Sequence, residues 1–252
     1  AATPLWSTWL QFKNSTDFGV KDPQFGLDIS FFAFKLPIYQ SAIGWATTTL
    51  VFALIAAAIV HYLYSAIRLP QPGQKSSTTG AAQVQLSVLL GLIVLTKGVA
   101  YWMDRYALEL KQSKLITGLT YSDVNALLPA KAILAGIALV CALLFFANVV
   151  RKSWSLPILG VGLLVVSALI IETAYPALVQ QFQVKPSESN KEAPYIQRNI
   201  DATRSAYNLS DVTVSDYDAT STTSAGQLAK DSATISNIRL VDPNVVSSTF
   251  RQ

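Results

Sequence analysis

The sequence predicts an all-α integral membrane protein with four transmembrane helices, and three observations carry that prediction. Four mostly apolar stretches recur, each of roughly the 20 residues that a helix needs to cross a bilayer core of about 30 Å. Only 13% of the 252 residues are charged and 51% are hydrophobic, whereas soluble domains carry roughly 25% charged residues. The mean hydropathy is +0.37, and the charge is gathered in the connections between the stretches and in a polar C-terminal part. Within lipid every backbone group must be satisfied inside its own segment, so the spans are helices.

Residues 1–40 read as an outer-face interfacial segment. In LWSTWLQF, Leu5, Trp6, Trp9, Leu10 and Phe12 recur at helical spacing. They predict a short helix lying in the outer interface, or the tail of a longer helix. DPQFGLDISFFAFKLP follows, with turn signals at Asp22-Pro23 and Gly26 and a closing Pro37.

The transmembrane region covers 41–180, with spans at about 41–64, 83–103, 130–150 and 156–180. Between the second and third spans, Ser122 reads as an N-cap with Asp123 in the positive first turn. Residues 181–252 predict the start of an incomplete extracytoplasmic domain. Ile196, Ile200 and Tyr207 fall on one helical face there, and 211–234 is rich in Ser, Thr and Asp. The chain opens on AATPLWSTWL without a leader and closes on IRLVDPNVVSSTFRQ, which predicts a piece of something larger.

Loop charge sets the orientation. The first connection holds Arg68 and Lys75 and no acid, and the third holds Arg151 and Lys152 and no acid. The positive-inside rule puts loops 66–82 and 151–154 in the cytoplasm. Residues 1–40, 104–129 and 181–252 then face outward, and the expected location is the cell membrane. Tyr39, Trp45, Tyr101, Trp102 and Tyr175 form an outer aromatic belt, and Tyr62, Tyr64 and Trp154 an inner one.

Several classes of function are disfavoured. A net charge of +4 without a long basic run gives no nucleic-acid signature. Cys141 and His61 are the single residues of their types, so a disulfide framework, a cysteine-rich metal site or a Ser-His-Asp triad has little to build on. No nucleotide-binding, metalloprotease or nucleophile-elbow motif is present. No cofactor, no metal and no catalytic residue is expected. Asn148, near the inner end of the third span, reads as an interhelical hydrogen-bonder.

Two ionisable residues fall inside spans. Lys97 lies six residues short of Met103, roughly 9 Å deep, and Glu172 lies four residues before Pro176, roughly 6 Å from it. Ionisable groups in lipid are costly, and the matching depth allows a Lys97–Glu172 pair. Snorkelling to the headgroups, or the lining of a polar transport cavity, are the other readings.

DPQFGLDISFFAFKLP, YWMDRYALEL with TGLTYSDVNALLPAKAIL, and ETAYPALVQQFQVKPSESNKEAPYIQRNIDATRSAY resemble the central blocks of uncharacterised protein family 0182, large bacterial membrane proteins. The resemblance runs from about Phe18 to Tyr207. It implies seven spans and a large extracytoplasmic region, of which this chain holds the last four spans. It also marks Asp104, Arg105, Asp123, Pro129, Glu192, Pro194, Tyr195, Asn199 and Arg204 as characteristic positions, and a network among them on the outer face is expected. The family carries no established activity. The expected role is a non-enzymatic scaffold or accessory subunit in contact with the lipid bilayer and with other membrane or envelope proteins. The alternatives are a transporter or channel using Lys97 and Glu172, and an outer-face enzyme built on carboxylates such as Asp104, Asp123 and Glu192.

Overall fold

The computed structural model describes residues 3–68, 77–112, 116–151, 155–213 and 215–216. Lys75, Lys114, Lys152, Trp154 and the segment from 217 onward lie outside the described residues. The chain divides into two compact units, Ala1–Tyr207 and Asn208–Gln252. Of the second, the described residues carry only turns.

Four helical stretches are long and apolar enough to cross a membrane: Phe31–Leu63, Gly80–Leu110, Asp123–Arg151 and Pro157–Ala206. Each is longer than its hydropathy alone predicts. Hydropathy marks the stretch that lipid tolerates, whereas backbone hydrogen bonding continues into amphipathic sequence at either end.

The N-terminal helix α1 (Thr3–Lys13) precedes an irregular hairpin in which Lys21 bridges Asp28. Its turn is built by Asp22, whose Oδ2 accepts from Gln24 N at 2.9 Å and Phe25 N at 2.6 Å. Gly26, at φ +67°, occupies the left-handed position that closes this turn. One wide π-type turn, Phe31–Lys35, leads into α2 (Leu36–Leu63) and absorbs the helical hydrogen bond that Pro37 cannot make. Beyond α2, Ser65 turns left-handed, and β1 (Ile67–Arg68) pairs antiparallel with β2 (Ser77–Thr78).

Helix α3 (Gly80–Ala107) starts on a Thr79 cap whose Oγ1 accepts from Ala82 N at 3.4 Å. It packs antiparallel against α4 (Leu128–Arg151), and this seam is the centre of the bundle. Val94 of α3 meets a stripe on α4 formed by Ala138, Cys141, Ala142 and Phe145, and Ala82, Leu86 and Gly91 of α3 and Leu134 of α4 are buried as well. The stripe spacing is that of one helical face. A Cβ at Gly91 would lie 2.9 Å from Phe146 Cε1 and 3.1 Å from Phe145 Cβ, so glycine there sets the approach of the two helices. Asn148 Nδ2 donates to Ser87 Oγ at 2.7 Å across the same seam, in the interhelical role expected of it.

The fourth stretch is α5 (Ser155–Ser167), a π-type turn over Ala168–Ala174, α6 (Tyr175–Val179), a second π-type turn over Gln180–Val184, a 3-10 turn and α7 (Glu188–Ala206). Pro176 has no N–H for the carbonyl four residues back, and its ring crowds that carbonyl. The wide turn before it absorbs the missing bond, and the second wide turn precedes Pro186 in the same way. Cys141 Sγ, in α4, meets Gly160 O at 3.1 Å and fastens α5 to the seam.

The end of the bundle that carries α1, the start of α2, the end of α3 and α7 is called the platform end below. Aromatic rings knit it together: Phe25 and Phe31 lie 4.9 and 5.4 Å from Tyr106, and Phe12 lies 6.2 Å from Tyr39. The β1–β2 pair lies at the opposite end. Along α2, beside its contact with α3, Phe52, Ile55 and Ile59 are exposed.

Candidate functional site

The charged groups at the platform end fall into two layers, one within the apolar spans and one above them. In the lower layer α4 supplies the central residue. Lys131 sits in the first turn of α4 after Pro129, and its side chain is 12% exposed. Its Nζ donates to Glu172 Oε1, in the π-type turn of the fourth stretch, and lies 3.5 Å from Asp104 Oδ2 at the end of α3. The same ammonium lies 5.3 Å from the centroid of the Tyr101 ring. One cation therefore ties α3, α4 and the fourth stretch together, with two carboxylates and a ring face around it. Neutralisation by two partners offsets the cost of holding the ammonium out of water.

The expected Lys97–Glu172 pair is not formed: Glu172 takes Lys131 as its cation. Lys97 belongs to the same layer but lies over the Tyr101 ring, 5.9 Å from its centroid, and makes no ion pair among the described residues. The reason is angular. Residues at equal depth on two spans meet only when both side chains point into a shared seam, and Lys97 instead lines a cleft between α2 and α3.

Asp123 organises the upper layer. Its side chain is 1% exposed and accepts from Lys111 Nζ at 2.7 Å, Thr120 Oγ1 at 2.8 Å and Thr120 N at 3.1 Å. Thr120 Oγ1 in turn faces Asp123 N at 3.3 Å, so the residue that caps the start of this helix is Thr120, not Ser122. Ser122 has helical torsions and donates instead to Gln180 Oε1. Glu192 of α7 takes the Tyr121 backbone N–H on both carboxylate oxygens, at 3.0 and 3.2 Å. Tyr195 stacks edge-on to Tyr121 at 6.4 Å, and Lys191 Nζ lies 4.8 Å above the Tyr121 ring.

Beside these groups a cavity of about 250 Å³ opens between the Asp22 hairpin, the end of α3 and α7. Asp22, Glu109, Tyr195, Arg198 and Asn199 bring polar groups to it, and Phe32 and Leu119 form part of its apolar wall. Burial, then the Asp22 charge and a hydrogen bond with Asp22, push the Glu109 carboxyl up to about 7, and Arg198 opposes the shift. Glu109 Oε2 is buried without a hydrogen-bond partner. Arg198 stacks on Tyr195 and donates to Gln24 Oε1 at 3.1 Å, which links α7 to the hairpin. Asp28, in the same hairpin, accepts from Phe18 N, Gly19 N and Ser30 N. Its carboxyl is lowered to about 2, with hydrogen bonding to Ser30 the leading cause.

Of the residues marked in the sequence, Asp104 and Glu172 meet in the lower layer, and Asp123, Glu192 and Tyr195 in the upper one. Asn199 lines the cavity and bonds Tyr195 O at 3.3 Å. Arg105 turns aside, its guanidinium 4.4 Å from the Trp102 ring, with Nε buried and unpaired. Arg204 is exposed and joins neither layer among the described residues. Ile196 and Ile200, expected on one helical face with Tyr207, lie on α7, and the three are 41%, 40% and 74% exposed. Sequence reasoning missed Lys131, Lys111, Asp22, Glu109 and Arg198. Lys131 was legible as a lysine just inside the third span, in LLPAKAIL.

Fold and site together define a helical protein with four helices long and apolar enough to cross a membrane, joined at one end by a two-layer polar network. The chain belongs to the uncharacterised protein family UPF0182, whose profile matches residues 1–252. It is 48% identical over 258 residues to a UPF0182 protein of Streptomyces coelicolor, covering all of this chain and 26% of the relative. UPF0182 proteins of Thermobifida fusca and a Nocardioides species are 50% and 49% identical, with 25% and 24% of their lengths covered. The chain thus spans about a quarter of the length of the curated relatives it matches. No solved structure matches it.

Proposed function

We propose that this chain is the membrane-anchoring scaffold of a larger cell-envelope protein, with a non-enzymatic role and a platform end that faces out of the cell. One observation supports this most: the ammonium inside the α3–α4 seam is neutralised within the chain, Lys131 by Glu172 and Asp104. A relay needs groups that can exchange partners along a wet path, and here one ammonium, its side chain 12% exposed, is held by two carboxylates at once. The upper layer fastens α7 to the spans, as a support for chain or partners beyond it requires. The loop charges at Arg68 and Arg151 favour a cytoplasmic position for the opposite end.

The test uses the full-length protein in native membranes and in proteoliposomes. The charge exchange Lys131→Glu with Glu172→Lys should preserve the size of the native complex on blue-native gels, and vesicles should show no ion flux above protein-free controls. Proton or ion flux that Lys97→Met abolishes would move the assignment to a transporter. That second reading is favoured by Lys97, which has no carboxylate partner among the described residues and faces a cleft of about 360 Å³.

A further inference from the structure

The cleft between α2 and α3 combines three properties. It holds one un-neutralised cation, because Asp104 on its wall lies 3.5 Å from Lys131 while Lys97 is exposed and without an ion pair among the described residues. It is open on its α2 wall, where a Cβ built on Gly44 meets nothing within 4 Å. It also continues onto an apolar track, since the most apolar window of α2 is 0% buried and Thr48, Phe52, Ile55 and Ile59 follow one another along it. Gln40 and Thr48 add polar atoms to the cleft, Thr48 Oγ1 donating to Gly44 O at 2.8 Å and keeping its lone pairs outward.

A cation beside an apolar track at membrane depth fits an amphiphile with an anionic head. We propose that this cleft binds an anionic phospholipid, its phosphate on the Lys97 ammonium and one acyl chain along α2. Charge complementarity selects the head: the ammonium donates a charge-assisted hydrogen bond to a phosphate oxygen, and the Tyr101 face holds the ammonium in place from the other side. Chain length selects the tail, because α2 runs on from Thr48 to Leu63 as an apolar surface.

The experiment measures phosphatidylglycerol binding to the detergent-purified full-length protein by native mass spectrometry, with phosphatidylcholine and inorganic phosphate as comparisons. Wild type should retain phosphatidylglycerol in preference to both. Lys97→Met should weaken it roughly tenfold, the scale of one charged hydrogen bond. Gly44→Leu should weaken it similarly by filling the cleft while leaving the charge, and the open space at Gly44 lets that variant fold. A photoreactive residue replacing Thr48 should cross-link lipid in native membranes. Unchanged phosphatidylglycerol binding in both variants would overturn the proposal. So would equal protection by inorganic phosphate, or a Thr48 cross-link to polypeptide in place of lipid, which would assign the cleft to another helix or a second copy.

Discussion

Lys131 and Glu172 form the ion pair that joins the third and fourth helical stretches, and Asp104 joins it from α3. Lys131→Met leaves two carboxylates without their cation and should lower stability by about 2–4 kcal/mol. The double variant Lys131→Met with Glu172→Met should recover part of that loss. Thermal unfolding of the detergent-purified full-length protein across the double-mutant cycle measures the coupling, expected at about 1–3 kcal/mol. Additive losses would mean that the pair does not form in solution.

Gly91 is where α3 and α4 come closest, so volume there must displace the Phe145–Phe146 wall. Gly91→Val should cost about 1–3 kcal/mol by overpacking. Gly136, on the open face of α4 with nothing within 4 Å of its Cβ, is the control. Its substitution to Val should stay within about 0.5 kcal/mol. Equal melting temperatures for the two variants would contradict the packing described.

Asp123 is a buried carboxylate that serves two partners, Lys111 and Thr120. Asp123→Ala should destabilise by about 2–4 kcal/mol, because it removes the acceptor of Thr120 N and Oγ1 and leaves the Lys111 ammonium without its acceptor. Asp123→Asn should lose less, since an amide oxygen still accepts from Thr120. Hydrogen exchange at Thr120 should rise in step with both losses.

The Glu109 carboxyl, in the connection beyond Met103, is raised from about 4.5 to about 7 in the folded chain, with Asp22 and Arg198 as the charged groups facing it. A raised folded value means that the folded state holds its proton more tightly than the unfolded chain does. The contribution to stability is therefore fully present below about pH 4.5 and is lost as pH rises towards 7. Glu109→Gln should flatten the melting-temperature profile across that window. A profile that stays sloped in the variant would assign the titration elsewhere. Asp28 runs the other way: its stabilisation is present above 3.8 and lost as pH falls towards 2.

The helices were legible in the sequence because their signals are local. The apolar runs marked all four spans. LWSTWLQF marked α1, and the proline and glycine turn signals marked the hairpin before α2. The upper layer was partly legible through Asp123, Glu192 and Tyr195. Asp22 and Arg198, over 170 residues apart in sequence, line one cavity at the platform end, and no periodicity reports such a meeting.

The sequence by itself determined the number of long apolar helices and the height of each charge along its own helix, because run length and rise per residue are properties of a single helix. Only the tertiary structure decided which charges meet. Depth fixes a side chain's height along its helix, but the direction it points changes by 100° per residue, and the neighbour it finds there depends on how whole helices pack. Lys97 and Glu172 share a level. Lys131, one helix over and turned into the seam, took the carboxylate, and Lys97 was left facing the cleft.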